Sequence, residues 1–298
     1  MTIRFEGRVA VVTGAGRGIG RAYARLLADL GAAVVVNDLG GSMGGDGTDA
    51  APADEVVAEI VAAGGRAVAD HHDVSTVDGA EALVATAVEQ LGGLDALVNN
   101  AGIMRWAGFP DVDADALDAH LAVHLGGAFN TTRAAWPHFA ERGYGRIVNT
   151  TSAGVFGLPA NTAYAAAKGG VIGLTRSTAV AGRKVGITAN CIAPAAFTRM
   201  AGEPGSPADT PAMAPELAAP MVAYLAHEDC PVTGEIYAAG AGRFARVFIA
   251  AAEGYVHGDL EPTVDDVAAH WAEVNDESAF TVPADLNSWS AAFLRHLS

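Results

Sequence analysis

The chain has 298 residues, of which 51% are hydrophobic and 17% are charged, and many of its 36 glycines fall in short clusters between apolar runs. This composition argues against a disordered protein and suits a buried parallel sheet. The formal net charge of −16 is spread along the chain and the 18 Lys and Arg residues form no basic run, so we expect no nucleic-acid-binding surface.

Residue patterns argue against two further classes, metal sites and membrane spans. Cys191 and Cys230 lie far apart, and no CxxC or His-x-x-His cluster predicts a zinc site. We expect both thiols to be buried apolar residues. No run reaches the roughly 20 apolar residues of a membrane span, and the N-terminus leads directly into a strand without a signal or transit segment. We therefore expect a soluble, cytoplasmic protein without a membrane partner.

Apolar β-branched runs recur along the chain, separated by segments of helical length. A strand is expected near 235–239, and six earlier runs predict strands at 8–13, 32–38, 66–71, 94–100, 145–151 and 186–193. Strands that alternate with helices form βαβ units, whose right-handed crossovers build a doubly wound parallel sheet with helices on both faces. The sequence therefore predicts an α/β fold.

The last part of the chain follows the last predicted strand. Thr263, followed by Asp265 and Asp266, predicts the start of a helix, because acidic residues stabilise the positive end of the helix dipole. The segment is apolar enough to pack. We expect residues 1–240 to form the core and residues 241–298 a docked extension of the same domain.

A glycine-rich turn, VVTGAGRGIGRA, joins the first strand to the first helix and contains Gly14, Gly18 and Gly20. Such a turn lets the backbone approach a pyrophosphate, and the helix N-terminus supplies free N–H groups and partial positive charge. Glycine is also common in tight turns that bind nothing. Asp38 adds weight, because it ends the second strand and its carboxylate can accept hydrogen bonds from a ribose.

Asp38 also bears on which dinucleotide binds. Its carboxylate would repel the 2′-phosphate of NADP at short range, which favours NAD. Arg17 has a guanidinium that could bind a phosphate and so favour NADP, or it could be a solvent-facing residue beside the pyrophosphate. We expect NAD, because Arg17 could contact either cofactor, whereas repulsion between Asp38 and the 2′-phosphate excludes NADP.

Residues 149–168, NTTSAGVFGLPANTAYAAAK, contain three adjacent hydroxyls, then Tyr164, then Lys168 one helical turn later. A free tyrosine, with a pKa of about 10, is a poor base near neutrality. A lysine ammonium on the same helix face and a positive nicotinamide ring would stabilise its phenolate. Tyr164 could then take the proton of a substrate hydroxyl while a hydride passes to NAD, or both steps could run in reverse. The alternative interpretation is an amphipathic helix with a surface lysine.

These motifs resemble those of the short-chain dehydrogenase/reductase family: TGAGRGIG at 13–20, NNAG at 99–102 and Tyr164-x-x-x-Lys168, in a pattern that covers about residues 6–240. The resemblance implies a Rossmann-type sheet and a homodimer or homotetramer. Within NNAG, Asn99 is expected to hold the central sheet together with backbone hydrogen bonds and to shape the nicotinamide floor. The cofactor contacts expected from the resemblance are Gly14, Arg17, Gly18, Ile19, Gly20, Asp38, Asp73, Val74, Asn100, Ala101, Gly102, Tyr164, Lys168, Pro194 and Thr198.

The catalytic hydroxyl of this family ends the fifth strand and donates a hydrogen bond to the substrate oxygen as charge develops. The family's offsets to Gly154 and Gly157 put Thr151 in that position. Ser152, one residue later, would point elsewhere if the chain stays extended. We expect Thr151 to be the catalytic hydroxyl, with Ser152 as the alternative.

The chain is also similar to a narrower group, the dehydrogenase unit of peroxisomal multifunctional enzyme type 2, also called 17β-hydroxysteroid dehydrogenase type 4. The similarity is carried by VVVNDLGG with its glycine-rich continuation, VHLGGAFNTTRAAWPHF, AGRKVGITANCIAP and LAHEDCPVTGEIYAAGAG. His124 replaces the Asn of most short-chain dehydrogenases, as it tends to in this group; it could also be a core histidine tied to the backbone. The resemblance implies NAD-dependent oxidation of (3R)-hydroxyacyl-CoA to 3-ketoacyl-CoA in fatty-acid or steroid side-chain breakdown.

The expected substrate is therefore a small hydrophobic molecule, most plausibly a CoA thioester. Its phosphates would need basic partners, for which the candidates are Arg105, Arg199, Arg243 and Arg246. A free hydroxysteroid or other hydrophobic alcohol is the alternative substrate. A non-catalytic NAD-binding scaffold is the remote alternative, which Tyr164 and Lys168 argue against.

Overall fold

The computed structural model describes residues 2–202, 205–206, 209–259 and 261–297. It separates two compact units, Met1–Arg246 and Val247–Ser298, and each is described by itself. The boundary lies six residues after the expected one at 240, because a strand that the sequence analysis did not predict follows there. The expected docking of the extension on the core stays a prediction.

An eight-stranded sheet forms the first unit. Its strands are β1 Val9–Thr13, β2 Ala33–Asn37, β3 Arg66–Asp70, β4 Ala96–Asn99, β5 Gly145–Thr150, β6 Ile187–Pro194, β7 Ile236–Gly240 and β8 Arg243–Val247. They are ordered β3-β2-β1-β4-β5-β6-β7-β8, and β1 to β7 run parallel. The seven predicted strands are confirmed, with ends that differ by one or two residues.

Helices cover both faces of the sheet. They are α1 Gly18–Asp29, α2 Ala51–Ala62, α3 Val77–Thr86, α4 Ala114–His120, α5 Gly127–Arg142, α6 Thr162–Gly182 and α7 Ala219–Leu225. Two π-helical segments, Ala87–Leu91 and Leu121–Gly126, continue α3 and join α4 to α5. The predicted doubly wound α/β fold is confirmed.

Alternate residues of the strands belong to two separate apolar clusters, one on each face of the sheet. Val12 and Val34 pack with α1, α2 and α7, whereas Val11 and Val35 pack with α3 and α5. This alternation is the period of two that an extended chain imposes on its side chains. Because helices cover both faces, both sets of side chains are buried, and the strands read as continuous apolar runs in the sequence.

The eighth strand is joined to β7 by the two-residue turn Ala241–Gly242. So short a connection makes a hairpin, in which neighbouring strands run antiparallel. Both turn residues have positive φ, 51° at Ala241 and 73° at Gly242, as the type I′ hairpin turn requires. The sequence GRFARV has no β-branched run, which is why the sequence analysis did not find the strand.

Parallel strands bring their carboxyl ends to one edge of the sheet. The order reverses between β1 and β4, and such a reversal opens a crevice at that edge. Thr13, Asn37, Asn99, Thr150 and Pro194 end five of the strands there. The fold thus gathers residues that are distant in sequence into one place.

The second unit contains β9 Ala251–Ala252 paired antiparallel with β10 Phe280–Thr281, and the short helices α8 Val264–Ala269, α9 Trp271–Val274 and α10 Leu286–Phe293. Thr263 caps α8 in a reciprocal capping box with Asp266, so the predicted helix start is confirmed. None of the described residues of this unit is buried.

Two further features of the described ranges concern the cysteines and the length of the helices. Cys191 and Cys230 are free and buried, as predicted. Every helix in those ranges is too short or too polar to span a bilayer.

Candidate active site

A cavity of about 910 Å³ lies at the carboxyl edge of the sheet. Every residue expected to contact the cofactor or to take part in catalysis lines this cavity, whereas Asn99, expected to shape the nicotinamide floor, does not. The fold therefore brings the predicted residues together, while the role of each stays a prediction.

The glycine turn after β1 leaves no room for side chains. A Cβ at Gly14 would lie 2.7 Å from the Cα of Ala101, and one at Gly20 would lie 2.1 Å from the carbonyl oxygen of Gly14. Gly14 and Gly18 also have positive φ, 61° and 54°. Only glycine combines this backbone conformation with such close packing.

The N-terminus of α1 is open to the cavity. Its N-cap, Arg17, makes no side-chain capping bond, and its first turn contains no acidic residue. Gly18, Ile19 and Gly20 line the cavity at this point. Free N–H groups and the positive end of the dipole suit a pyrophosphate, so the residues present fit a dinucleotide cofactor.

Asp38 lies just after β2 and is fixed by two backbone donors. Its Oδ2 accepts a hydrogen bond from the N–H of Gly16 at 2.8 Å, and its Oδ1 accepts one from the N–H of Gly40 at 2.7 Å. Each carboxylate oxygen keeps acceptor capacity for a ribose hydroxyl. The negative charge is therefore held at the place where a 2′-phosphate would approach.

The two asparagines of NNAG have different partners. Asn100 Nδ2 donates to the carbonyls of Thr13 and Gly14, both at 3.0 Å, and so braces the glycine turn. Asn99 bonds mainly to side chains, because its Nδ2 donates to Asn149 at 2.9 Å and its Oδ1 accepts from Thr131 at 2.7 Å. Asn99 thus joins β4 to β5 and α5, which agrees with its expected structural role, but these bonds run through side chains.

Lys168 is buried beneath Tyr164. Its Nζ lies 5.7 Å from the centroid of the Tyr164 ring and donates to the carbonyl of Thr150 at 2.7 Å. Burial lowers the pKa of Lys168 to about 7. The helical spacing thus places the lysine beside the tyrosine, as predicted.

The ionisation of Tyr164 differs from the expectation. Burial raises the pKa of Tyr164, and a hydrogen bond with the Ser152 side chain acts in the opposite direction. Burial disfavours a phenolate because it removes water from the charge. The protein side chains alone therefore do not stabilise the phenolate of Tyr164 that the helical spacing predicts.

Thr151 does not supply the hydroxyl that faces Tyr164, which corrects our expectation. Its Oγ1 donates to the carbonyl of Lys168 at 2.9 Å, and the residue is buried against α6. Ser152, the alternative, lies beside Tyr164, because a Cβ built at Gly154 would lie 3.3 Å from both Ser152 Oγ and Tyr164 Cε1. Its Oγ also accepts a hydrogen bond from the N–H of Gly154 at 3.0 Å.

The physical reason is the register of β5. Asn149 points towards α6, where its Nδ2 donates to Thr175, and in an extended chain Thr151 must point the same way. Ser152 is also extended, with φ −156° and ψ 151°, so its side chain projects to the opposite side of the chain from that of Thr151. The strand fixes which hydroxyl faces the site, whereas counting back from the glycines after the turn is off by one residue.

His124 is tied to the backbone, as one of the two interpretations held. Its Nε2 lies 2.9 Å from the carbonyl oxygen of Ile103, and the ring meets Tyr164 edge to face at 5.2 Å. Burial holds the pKa of His124 well below its usual range. The ring is therefore neutral and forms part of the wall beside Tyr164.

The rest of the cavity includes a side that the sequence analysis missed. Apolar side chains line it: Met104, Trp106, Ala119, Ala122, Val123 and Leu158. The apolar residues directly after NNAG were the available signal for part of this surface.

Three arginines also line the cavity: Arg17, Arg105 and Arg199. Arg105 Nε donates to the carbonyl of Gly44 at 2.8 Å, and Arg199 donates to that of Gly41 at 3.3 Å. Arg243 and Arg246, the other two CoA candidates, lie on β8 and do not line this cavity. A contact of these two residues with CoA stays a prediction.

Comparison with known proteins agrees with this arrangement. A family model described as short chain dehydrogenase matches residues 8–206. A Mycobacterium tuberculosis protein named as a short-chain type dehydrogenase/reductase is 47% identical over 274 residues, covering 92% of this chain and 96% of its own. Peroxisomal multifunctional enzyme type 2 of Mus musculus is 44% identical over 242 residues, and this chain spans 32% of its length. A hydroxyacyl-CoA dehydrogenase of Mycobacterium tuberculosis is 40% identical over 211 residues, 68% of this chain and 65% of its own.

Solved structures show the same similarity. Full-length peroxisomal multifunctional enzyme type 2 of Drosophila melanogaster matches with a TM-score of 0.80 and 34% identity, over 99% of this chain and 50% of that one. A 7α-hydroxysteroid dehydrogenase complexed with NADH and 7-oxo glycochenodeoxycholic acid matches with a TM-score of 0.72 and 30% identity, over 80% of this chain and 95% of that one.

Proposed function

This chain belongs to the short-chain dehydrogenase family and is an oxidoreductase; from this premise we propose that it interconverts (3R)-hydroxyacyl-CoA and 3-ketoacyl-CoA with NAD. The observation that carries the proposal is the position of the Ser152 hydroxyl beside the Tyr164 ring and the buried Lys168, inside a cavity with one apolar side.

In the proposed oxidation, Tyr164 takes the proton of the substrate hydroxyl on its Oη. Ser152 donates a hydrogen bond to the substrate oxygen while the C=O bond forms. Lys168, held by the Thr150 carbonyl, keeps its Nζ beside the Tyr164 ring. When bound, NAD⁺ accepts the hydride and brings a positive charge into the cavity, which favours the phenolate that burial alone disfavours.

The choice of NAD over NADP is supported by the fixed carboxylate of Asp38. Arg17 and Arg199 lie nearby, and each donates to the Gly41 carbonyl at 3.4 and 3.3 Å. Their charges could attract a phosphate, but the Asp38 carboxylate would repel a 2′-phosphate at short range. NAD is therefore the proposed cofactor.

A CoA thioester is supported by three features. The apolar side of the cavity suits an acyl chain, and Arg105 and Arg199 place positive charge at the cavity of a protein whose net charge is −16. A similar protein is also named a hydroxyacyl-CoA dehydrogenase. A free hydroxysteroid is the second candidate, because the apolar lining would accept it as well.

The test is a substrate screen that follows NADH formation by absorbance. The panel contains (3R)- and (3S)-3-hydroxyacyl-CoA of several chain lengths, the matching free hydroxy acids and free hydroxysteroids, each with NAD and with NADP. We expect turnover of the (3R)-thioester with NAD. Turnover of free hydroxysteroids with no activity on any thioester would replace the proposal with the second candidate.

Tyr164→Phe is the catalytic control for the same screen. It removes the proton acceptor and keeps the ring, so we expect turnover to be lost while NADH still binds. Unchanged turnover in this variant would contradict the proposed function.

A cytoplasmic location and a homodimeric or homotetrameric assembly complete the proposal. Sedimentation equilibrium at several protein concentrations would measure the assembly, and fractionation of the native cells would measure the location.

A further inference from the structure

The wall that follows NNAG, residues 102–106, has no regular secondary structure, although all five of its residues line the cavity. Its backbone N–H groups therefore need partners from other parts of the chain. Met104 N–H donates to the carbonyl of Met43 at 2.8 Å, and Ile103 N–H points to Nε2 of His124 at 3.3 Å. Arg105 N–H donates to Nε2 of His120, also at 3.3 Å.

The hydrogen bonds of His120 fix its protonation. Its Nδ1 lies 2.7 Å from the carbonyl oxygen of Ala116, which can only accept, so Nδ1 carries the hydrogen. Nε2 of the neutral ring is then an acceptor, which is what Arg105 N–H requires. His120 is 0% exposed, so water cannot replace either bond.

The same ring also contacts the residues beside the reaction centre. It meets Tyr164 edge to face, with centroids 6.2 Å apart and an interplanar angle of 84°, and it stacks on His124 at 5.7 Å. His120 thus joins the Tyr164 ring to the wall through a single side chain. Arg105 extends the connection, because its Nε donates to the Gly44 carbonyl.

We propose that His120 is a positioning residue, whose uncharged ring holds the backbone of Arg105 and thereby fixes the wall 102–106 against Tyr164 for substrate binding. The inference rests on the proposed dehydrogenase function of this site. His120 makes no hydrogen bond to the glycine turn or Asp38 among the described residues, and of the wall only Gly102 is an expected cofactor contact, so loss of His120 should affect the substrate more than the binding of NADH.

Protonation of His120 would remove the acceptor. Both ring nitrogens would then donate, and the Nε2 hydrogen would meet the Arg105 N–H. The titratable groups around the ring are His124 stacked on it, Tyr164 at its edge, and the positive charges of Arg105 and Lys168. Burial above all lowers the pKa of His120, the two positive charges lower it further, and the Ala116 carbonyl opposes them. The wall is therefore held at neutral pH and released in acid.

Two variants separate the acceptor from the ring. His120→Phe keeps a ring for Tyr164 and His124 but has no acceptor, whereas His120→Gln places an amide oxygen at about the reach of Nε2 but has no ring. The substrate is the secondary alcohol oxidised fastest in the screen above, and the half-buried His138 on α5 supplies the matched control, His138→Gln.

We expect His120→Phe to raise KM for the alcohol by about ten-fold, the effect of one unpaired buried N–H, with kcat and NADH affinity changed much less. His120→Gln should restore most of KM. In the wild type and in His138→Gln, KM should rise as the pH falls below the lowered His120 pKa, whereas in His120→Gln it should stay level there, because an amide does not titrate.

Unchanged KM in both His120 variants, or an acid rise of KM that persists in His120→Gln, would overturn the inference. If His120→Phe does not fold, the pH profile of His120→Gln decides alone. Tyr164→Phe is measured in parallel: retained turnover there overturns the proposed function, whereas lost turnover with unchanged KM in the His120 variants overturns only the role of His120.

Discussion

The hydroxyl of Ser152 lies beside the ring of Tyr164, which is proposed to carry the proton, whereas the hydroxyl one residue earlier donates to the Lys168 carbonyl. Two adjacent side chains of nearly the same chemistry therefore have different environments. The difference is set by the faces of β5 and can be tested one residue at a time.

Ser152→Ala is expected to lower kcat/KM for alcohol oxidation by about 10²- to 10³-fold, the usual effect of removing one donor to a developing oxyanion. The variant should also move the alkaline rise of the pH–rate profile to higher pH. The sign follows because the Ser152 hydrogen bond lowers the pKa of Tyr164, so its removal raises that pKa. Steady-state rates across a pH series measure both effects.

Thr151→Val is the matched control, because it removes a hydroxyl and keeps the shape. We expect most of the turnover to remain, with a loss of about 1 kcal/mol in the free energy of unfolding from one buried hydrogen bond. The opposite pattern, with Thr151→Val inactive and Ser152→Ala active, would restore our original assignment of Thr151.

Asp38→Asn is expected to narrow the preference for NAD over NADP. The amide keeps one oxygen acceptor for Gly16 or Gly40 but removes the charge that would repel a 2′-phosphate. The ratio of kcat/KM for the two cofactors should fall by about ten-fold or more, as expected for one short-range charge contact of 1.5 kcal/mol or above. An unchanged ratio would show that another residue sets the preference.

Among the elements, the β7–β8 hairpin contains a strained residue away from the cavity. Ala241 has a φ of 51°, in the left-handed region that disfavours a Cβ, and Gly242 follows it in the turn. Left-handed backbone costs a residue other than Gly, Asn or Asp roughly 1–2 kcal/mol. The turn geometry calls for Asn-Gly at these two positions.

Ala241→Asn should therefore raise the free energy of unfolding by about 0.5–1 kcal/mol, within the cost just given. Thermal or denaturant unfolding would measure the change. Gly242→Ala, which places a Cβ at a φ of 73°, should act in the opposite direction. Equal stability of the two variants would mean that the hairpin does not limit the stability of the chain.

In the whole molecule, the buried core is confined to the first unit. Every residue of the two apolar clusters precedes residue 240, and no described residue of the second unit is buried. A shortened chain that keeps the sheet therefore retains both clusters complete.

A chain of residues 1–247 is expected to unfold cooperatively and to bind NADH, measured by thermal melting and by NADH fluorescence. A chain that ends at Gly234 is the control, because it also loses β7 with the buried Ile236 and Ala239. Failure of the first chain to melt cooperatively would mean that residues 248–298 stabilise the core.

Much of the fold follows from local sequence. The strands of the buried sheet are apolar β-branched runs, since both of their faces pack against helices. The hairpin strand β8 was not predicted because its sequence has no such run. The positive φ of Ala241 was not predicted either, because the turn imposes it and alanine does not favour it. Burial similarly raised the pKa of Tyr164, where the helical spacing alone suggested the opposite direction.

The sequence by itself determined the α/β fold, the glycine turn, the acidic residue after the second strand and the Tyr164–Lys168 pair. Each is a pattern within a few residues of chain, so its physical cause is local. Only the tertiary structure placed Ser152 beside the Tyr164 ring, Thr151 against the Lys168 carbonyl, and His120 under the wall of the cavity. The placement of the two hydroxyls depends on which side of the chain after β5 packs against α6. The role of His120 depends on a hydrogen bond between α4 and the irregular segment that contains Arg105. Both are contacts between distant segments, which exist only once the chain has folded.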